Sequence, residues 1–499
     1  MHEAQLLFSV VWLLAASLQV RSSEEDLRAK AARGKELMAA GRYGEAAPVY
    51  RELVQAAPGN PGLLLNLGMA LHLAGQDQEA VPQLEVALRL QPESLPAALF
   101  LGLANHRLGR TAEAVTSLRK AVQLQPDHVD ARTALAEALL GLGRYVEAEP
   151  HLHRLTRLLP QEPATWFNLG KTYEELAGQA IRDLQQADPE SAFGFALVAE
   201  GRAKEGRQSD AFHLYRQALD RAPSLRGMHA AIAEIYRGTG HPDWAAVEEE
   251  RERALPRMSC PRDALECSFT AGKHRDVIVE AAPLKAPEAY YWLARAADQL
   301  AAQALERLTA LPPSPQSHEW AAQIQANAGR FAESAEEWRK AIALLPRDPR
   351  LKLELAITLR QGRDFTAAQP VLEELVRTEP DSPEASYLLG DVLLARQQPE
   401  RAVPVLEKAV RLEPKQAEAH GALGRAYALV GRPAEAIPHL TQALTTDTDG
   451  SVLYQLARSY QLTGQSEEAQ AALRRYEQLR KAAPAESEGS NPGPPITPP

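Results

Sequence analysis

Cysteine is nearly absent from this sequence: its 499 residues contain only Cys260 and Cys267. There is no Cys-x-x-Cys spacing and no cluster of histidine and cysteine, so a structural zinc site is not expected. On one helix the two cysteines would lie about 10 Å apart, beyond the ~7 Å between Cα atoms that a disulfide tolerates. A bridge therefore requires Cys260 to fold back from outside the helix that Pro261 predicts, and the sequence leaves this disulfide open.

An excess of positive charge is also lacking. The chain has 55 Lys and Arg residues against 65 Asp and Glu residues, which gives a formal net charge of −10. Nucleic-acid-binding proteins usually carry the opposite sign and a clustered basic stripe, and the sequence shows neither. Nucleic acid is therefore not an expected partner.

Apolar runs are too short to span a bilayer, which needs roughly 20 residues. The run LLFSVVWLLAASL at residues 6–18 has 13 residues and suits the core of a signal peptide. Small residues Ala15, Ala16 and Ser17 offer a cleavage zone, so residues 1–20 are expected to direct export to the periplasm or out of the cell. The mature chain is then expected to have no membrane span. However, MHEAQ at the start lacks Lys and Arg, which leaves open a retained first helix and a cytoplasmic location.

Catalytic signatures are missing as well. The sequence has no Gly-rich phosphate loop, no G-x-S-x-G and no H-E-x-x-H. His151 and His153 would point about 200° apart around a helix, so they cannot share a metal ion. Carboxylates are plentiful but scattered over helix surfaces. We therefore expect a protein that is not an enzyme and that holds no cofactor and no metal.

What the sequence does contain is a repeated phrase. GRYGEAAPVYRELVQAAPGN begins at Gly41, and GRYVEAEPHLHRLTRLLPQE begins at Gly143. The same glycine returns at Gly75 and Gly109, so the period is 34 residues. An alanine follows each of these glycines after five residues and a proline after seventeen. With the glycine placed at position 15, the register returns in the C-terminal half at Gly329, Arg363, Gln397 and Gly431.

Each 34-residue unit is predicted to form two helices. Apolar residues at positions 4, 7, 8 and 11 form one helical stripe, and those at 20, 24 and 27 form another. Small residues at 8 and 20 let the two helices approach closely. Glycine at 15 ends the first helix, and proline at 32 ends the second. This pattern, with Leu-Gly at 7–8, Tyr at 17 and Ala at 20 and 27, resembles the tetratricopeptide repeat.

The resemblance implies an all-α fold, a right-handed superhelical solenoid of antiparallel helix pairs. One helix pair cannot bury its apolar face alone, which explains why the phrase is repeated. Together with its N-terminal apolar run, the chain resembles exported bacterial proteins that carry many such repeats. The register predicts regular repeats from residues 27, 61, 95, 129, 192, 315, 349, 383, 417 and 450, and degenerate repeats from 163 and 226.

Breaks in the register divide the chain. Residues 27–256 are predicted to form an N-terminal array, and residues 315–482 a C-terminal array that ends in a charged capping helix. Residues 257–314 are rich in proline and contain both cysteines. Here we expect irregular helices, either as an elbow between two arrays or as decayed repeats of one superhelix. Residues 483–499 are rich in Pro, Gly and Ser and are expected to be disordered.

In this family the first helices line the concave side, where positions 2, 5, 9 and 12 point inward. These offsets share one helical face, which we call the inner face. Apolar side chains there suggest a groove for an extended or helical peptide; the alternative is that a tight superhelix covers them. The candidate partner-binding residues are Leu65, Met69, His72, Leu99, Leu103 and His106 in the N-terminal array and Leu353, Ile357, Arg360 and Tyr387 in the C-terminal array.

These observations favour one function and leave two others open. The first hypothesis is an exported, non-catalytic scaffold that holds a protein or peptide partner through its concave surface. The second is a structural assembly subunit of an envelope complex, which would use its outer surfaces and end repeats. The third is a cytoplasmic adaptor, which follows if the N-terminus is retained.

Overall fold

The computed structural model describes residues 26–482 and 495–499. These residues form α-helices and one short 3-10 helix, and no strand occurs among them. The predicted all-α solenoid of helix pairs is confirmed. The predicted signal peptide at residues 1–20 lies outside the described residues, as does the part 483–494 of the predicted disordered tail.

The chain divides into two compact blocks. The N-terminal block runs to Arg307 and includes Ile496–Pro499, and the C-terminal block comprises Leu308–Pro495. Helices α1 to α16 begin in the N-terminal block: 26–39, Tyr43–Ala56, Pro61–Leu73, Asp77–Leu90, Leu95–Arg107, Thr111–Leu124, Val129–Gly141, Tyr145–Leu158, Pro163–Ala187, Ala192–Lys204, Gln208–Arg221, Met228–Gly238, Pro242–Ala254, Ala264–Thr270, His274–Ala281 and Pro287–Thr309.

The C-terminal block contains five further helix pairs. The 3-10 helix Ala443–Thr445 follows α24 directly. Helices α17 to α26 are Pro315–Asn327, Phe331–Leu344, Pro349–Gln361, Phe365–Thr378, Pro383–Ala395, Pro399–Leu412, Ala417–Leu429, Pro433–Gln442, Ser451–Leu462 and Ser466–Ala482. The first helix of each of these pairs begins within one residue of the start that the 34-residue register predicts, so the repeat boundaries follow the sequence closely.

One close contact recurs within the helix pairs. A Cβ atom added to Gly68, at position 8, would lie 2.5 Å from Cγ of Leu84 at position 24 of the same repeat. On Gly424 it would lie 2.6 Å from Cγ of Leu440. Real Cβ atoms essentially never approach closer than 3.0 Å, so glycine is what allows this packing. Both leucines are fully buried, and burial of one leucine side chain contributes about 1.5–3 kcal/mol.

The turn inside each pair requires a left-handed backbone conformation. At position 15, φ is +71° at Gly41 and +66° at Gly143, values that glycine adopts without a steric penalty. Arg363 and Gln397 occupy the same position and still take φ values of 59° and 60°. For a residue with a Cβ atom this conformation costs about 1–2 kcal/mol. Packing of the helix pair therefore overrides the local preference at these two turns.

The degenerate repeat predicted from residue 163 is completed by a helix that is distant in sequence. Its first helix, α9, continues to Ala187 without a turn. A Cβ atom added to Gly170, at position 8, would lie 2.9 Å from Cγ and Cδ2 of Leu305 in α16. Leu305 thus takes the place of the leucine at position 24. Ala301, four residues earlier, is buried, as the alanine at position 20 is elsewhere. We call α9 with α16 the split repeat.

The predicted connector at residues 257–314 needs correction. Side chains of α14, α15 and α16 belong to the same hydrophobic core as those of α5 to α13. The N-terminal block therefore extends to Arg307 and not only over the predicted array of 27–256. Helices α10 to α15 lie, in sequence, between the two halves of the split repeat. The register is lost here because the second helix of the repeat is displaced along the chain.

The two cysteines form a disulfide. Cys267 lies in α14, and Cys260 lies in the turn that precedes this helix. Their Cα atoms are 5.5 Å apart, which is within the range of native disulfides. Cys260 thus folds back from outside the helix, which is the arrangement that a bridge between these positions requires.

Two glycines on α9 provide a test of the split repeat. Gly170→Ala is expected to destabilise the protein by about 1–3 kcal/mol, because the new methyl group must displace Leu305. Gly178→Ala meets only the end of the Arg182 side chain, at 3.3 Å. It is expected to stabilise the helix by about 0.5–1 kcal/mol. Thermal melting followed by far-UV circular dichroism measures both changes. Equal effects of the two substitutions would contradict the packing of α16 on α9.

Candidate partner-binding surface

The inner face of the C-terminal block carries apolar side chains on two successive first helices. Leu353 and Ile357 lie on α19 and Tyr387 lies on α21, at positions 5, 9 and 5 of their repeats. All three are half-buried and pack against the core of the block. Part of each side chain remains accessible, so these three predicted residues stay available to a partner.

Three charged side chains meet next to Tyr387. Asp391 on α21 accepts hydrogen bonds from Arg360 on α19 (Nη1 to Oδ2, 3.1 Å) and from Arg425 on α23 (Nη2 to Oδ1, 2.9 Å). Two arginines and one aspartate give a net charge of +1. Arg425 is 44% exposed, and ion pairs at such exposure contribute only about 0–1 kcal/mol to stability. The guanidinium groups retain donors for a partner, and a partner carboxylate is the group they bind best.

Asp391 and Arg425 were missed by the sequence-based prediction of the site. Both occupy position 9 of their repeats, one of the four inner-face positions. The signal was therefore present, but the prediction gave weight to apolar residues at these positions. What the sequence could not show is that one aspartate would join arginines from the helices on both sides.

Arg360, Asp391 and Arg425 form the charged cluster, and the last two of them line a cleft of about 280 Å³. Leu394 and Leu429 form its apolar wall, and Asp391, Arg425 and Gln455 form its polar wall. Leu429 is 63% exposed. The volume of the cleft is slightly below that of small-molecule pockets, which measure roughly 300–1,000 Å³. Its size and mixed lining suit one side chain of a protein partner.

The hydroxyl group of Tyr387 adds a neutral polar group to this surface. Burial raises the pKa of Tyr387, and the negative charge of Asp391 raises it further. The phenol therefore keeps its proton at neutral pH and remains a hydrogen-bond donor. Apolar area, a neutral donor and two arginines thus lie together on α19, α21 and α23.

The predicted residues of the N-terminal block do not all lie at the surface. Leu65, Met69, Leu103 and His106 are half-buried. Leu99 is only 6% exposed and belongs to the hydrophobic core. The expectation that Leu99 contacts a partner is therefore corrected, because its side chain is already covered by the fold.

His72 is also engaged within the fold. Its ring Nδ1 lies 2.5 Å from Asp77 Oδ1, and both side chains are buried. Arg107 Nε lies 2.5 Å from Asp77 Oδ2, and its Nη2 donates to the carbonyl oxygen of His72. Burial lowers the pKa of His72, although Asp77 opposes this change. His72 thus helps to join α3, α4 and α5, and its predicted role in partner binding is corrected as well.

In the repeat from residue 192 the chain covers its own inner face. Phe193, at position 2, packs on Tyr291 of α16 with ring centroids 5.3 Å apart. Glu200, at position 9, lies 3.4 Å from Nε of Arg295 in the same helix. Burial raises the pKa of Glu200, and Arg295 counteracts this effect. On α10, therefore, the fold itself covers the inner face, which is the alternative to a partner groove. On α19, α21 and α23 the charged cluster stays accessible.

Family models of the tetratricopeptide repeat match the chain in six ranges, some of which overlap. These are residues 31–94, 78–129, 106–169, 359–426, 393–436 and 450–475. This chain is a tetratricopeptide repeat protein. The matches leave residues 170–358 uncovered, and this stretch contains most of the split repeat and the helices between its halves. The charged cluster lies within the matched residues, because Arg360, Asp391 and Arg425 all fall between 359 and 426.

Solved structures of other proteins are similar to parts of this chain. A MamA RS-1 ArsTM double mutant is 22% identical over 34% of this chain and 97% of its own, with a TM-score of 0.32. TTC0263, a thermophilic tetratricopeptide repeat protein from Thermus thermophilus, is 24% identical over 35% of this chain and 93% of its own, with a TM-score of 0.29. These low scores add nothing to the family assignment. No curated protein matches the chain.

Neither a metal cluster nor a spanning helix occurs in the part of this tetratricopeptide repeat protein that the structure describes. Within residues 26–482 and 495–499, no three His, Cys, Asp or Glu side chains are grouped so that they could hold a metal ion. Among the helices described, none combines the length and the apolar character that crossing a bilayer requires. His151 instead lies beside Arg132, whose Nη1 is 3.1 Å from the ring Nδ1.

The lowered pKa of His151 leads us to expect that the stability of the fold depends on pH. Burial, reinforced by Arg132 and Arg119, lowers the pKa of His151 to about 4. The unfolded chain, with a histidine pKa of about 6.5, binds a proton that the folded chain excludes. Stability is therefore lost as the pH falls from about 6.5 to about 4. The melting temperature is expected to decline less over this range in His151→Gln, whose amide can still accept from Arg132. An unchanged pH profile in this variant would assign the decline to other groups.

Proposed function

We propose that this tetratricopeptide repeat protein is a non-catalytic scaffold that binds a protein or peptide partner through the inner face of α19, α21 and α23. The observation that carries the proposal is the Arg360–Asp391–Arg425 cluster next to Tyr387 and the exposed Leu429. Its groups come from three successive repeats, so a partner that lies along the stack can contact all of them. Proteins of this fold act in general as protein-interaction scaffolds.

The cluster indicates the chemistry of the partner. A partner carboxylate would receive charge-assisted hydrogen bonds from Arg360 and Arg425. An apolar partner side chain would cover Leu429, and burial of a leucine contributes about 1.5–3 kcal/mol. We therefore propose that the partner is an extended or helical segment with apolar side chains and at least one acidic group.

The proposal includes no catalysis. Tetratricopeptide repeat proteins are generally non-catalytic. The charged groups on this inner face are paired with one another, and no nucleophile with an adjacent base accompanies them. The roles proposed for Arg360, Arg425 and Leu429 are therefore binding roles.

We further propose that the protein is exported and acts in the cell envelope or outside the cell. Two observations support this location. The apolar run at residues 6–18 has the length of a signal-peptide core. The Cys260–Cys267 disulfide is a bond that persists in oxidising compartments and is rare in the cytosol. A cytoplasmic adaptor would be expected to keep both thiols reduced.

Charge reversal at the cluster tests the scaffold proposal. Arg425→Glu combined with Leu429→Asp removes one arginine and one apolar contact and repels an acidic partner. We expect capture of the partner by chemical cross-linking to fall at least about tenfold, which corresponds to about 1.4 kcal/mol of binding free energy. Quantitative mass spectrometry of the cross-linked products measures the loss.

A matched control is available on a neighbouring helix. Arg411→Glu with Leu412→Asp makes the same two chemical changes at the end of α22, and Leu412 is 38% exposed. Both variants must retain the wild-type helicity and melting temperature. Equal capture by the two variants would disprove the inner-face proposal and favour the structural assembly subunit, which binds through other surfaces.

The location is tested by the state of the thiols. Protein isolated from its native compartment without reductant, and alkylated while denatured, should show no free thiol before reduction and two after it. Reduction should also lower the free energy of unfolding by about 2 kcal/mol, because opening the short loop between the cysteines restores its conformational entropy in the unfolded chain. The double variant Cys260→Ser/Cys267→Ser should melt like the reduced protein. Two alkylated thiols in the untreated protein would contradict export.

A further inference from the structure

Residues Ile496–Pro499 belong to the N-terminal block, although they follow the last helix of the C-terminal block in sequence. Tyr236 on α12 donates a hydrogen bond from its hydroxyl group to the carbonyl oxygen of Thr497, at 2.6 Å. The side chain of Ile496 is half-buried and packs against the core of the N-terminal block. The side chain of Thr497 is exposed. The five-residue segment 495–499, PITPP, is here called the tail segment.

Two other tyrosines occupy the same repeat position as Tyr236, and their hydroxyl groups find an acceptor within the array of repeats. Tyr236 occupies position 11 of the repeat from residue 226, as Tyr173 and Tyr427 do in theirs. Tyr173 donates to Glu149, 24 residues earlier, and Tyr427 donates to Glu407, 20 residues earlier, each at 2.7 Å. In those repeats the preceding second helix thus supplies a carboxylate for the phenol.

The helix that precedes the repeat of Tyr236, α11, has no carboxylate at these two positions. The residues 24 and 20 positions before Tyr236 are Phe212 and Arg216, and neither side chain accepts a hydrogen bond. With the tail segment in place Tyr236 is fully buried, and a buried hydroxyl group is almost always hydrogen-bonded. The carbonyl oxygen of Thr497 provides the acceptor that these two positions of α11 do not supply.

The surroundings of Tyr236 suit a proline-rich strand. Its ring packs on Phe212 and on Trp244, in each case with centroids 5.5 Å apart. Trp244 in turn stacks on His241 at 4.1 Å. Proline fixes φ and removes the backbone donor, so an extended proline-rich strand leaves its carbonyl groups free. A hydroxyl donor set among aromatic rings is a feature of sites that recognise such a strand.

We propose that α12 and its aromatic neighbours form a binding site for an extended segment with the pattern Pro-aliphatic-x-Pro-Pro, where x is any residue, and that the tail segment of the same chain is its resident ligand. Ile496 fills the apolar part of the site, and the Thr497 carbonyl oxygen accepts from Tyr236. One apolar side chain and one hydrogen bond make a weak contact, which the covalent tether strengthens by raising the local concentration of the ligand. This site is separate from the inner face of α19, α21 and α23 and does not rest on the function proposed for it.

Two substitutions in the full-length chain test the proposal. Ile496→Asp removes the apolar contact and introduces a charge at the site. Thr497→Asp introduces the same charge one residue further on, where the side chain is exposed and the backbone acceptor remains. We expect amide hydrogen exchange in α12 to become at least about threefold faster in the first variant and to stay within experimental error of the wild type in the second. Equal exchange in wild type and Ile496→Asp would overturn the proposal.

A synthetic ligand provides the second measurement. The capped peptide acetyl-PPITPP-amide, which spans residues 494–499, is added at millimolar concentration to the Ile496→Asp chain. It should restore the slow exchange of α12, and acetyl-PPDTPP-amide should not. Tyr236→Phe, which keeps the ring and removes the donor, should reduce the effect of the peptide. Protection that depends on protein concentration in the wild type would overturn the assignment to the same chain and identify the ligand as the tail of a second copy.

Discussion

The close approach of two helices at the small residue of position 8, glycine or alanine, is the contact on which this structure depends. In the repeats that have glycine at position 8, such as those of Gly68 and Gly424, there is no room for a Cβ atom, because the leucine at position 24 already fills the space. The glycine thus sets the distance between the helices, and this distance decides which side chains can reach the core. The same contact joins α9 to α16 through Gly170 and Leu305, which are 135 residues apart in sequence. Spatial packing, and not sequence adjacency, therefore defines a repeat.

The extent to which the fold could be predicted follows from how local each signal is. The helix pairs were predictable because Gly41 and its equivalents, with their alanines and prolines, recur within 34 residues. The pairing of α9 with α16 was not, because nothing near Leu305 marks it as the partner of a glycine so far upstream. The site shows the same limit: the offsets place Tyr387 on the inner face, where it stays a predicted contact, but they could not show that Leu99 is buried or that Asp391 joins two arginines.

The two surfaces described here use the same scaffold in different ways. On α19, α21 and α23, side chains from three first helices remain accessible and combine apolar area with arginine donors. Around α12, the hydroxyl group of Tyr236 has no carboxylate partner on α11 and donates its hydrogen bond to the tail segment instead. In both places the binding group stands at a position that another repeat uses for internal contacts. Variation at a few register positions thus turns packing residues into recognition residues without disturbing the helix pair.

The split repeat also has a consequence for synthesis of the chain on the ribosome. An ordinary repeat is complete once its second helix follows a few residues after the first. Helix α9 ends at Ala187, whereas α16 ends only at Thr309. Translation proceeds at about 5–20 residues per second, so the gap lasts roughly 6–24 s. During that time the face of α9 around Gly170 has no final partner, and its apolar residues must be shielded by neighbouring helices or by a chaperone until Leu305 has been made.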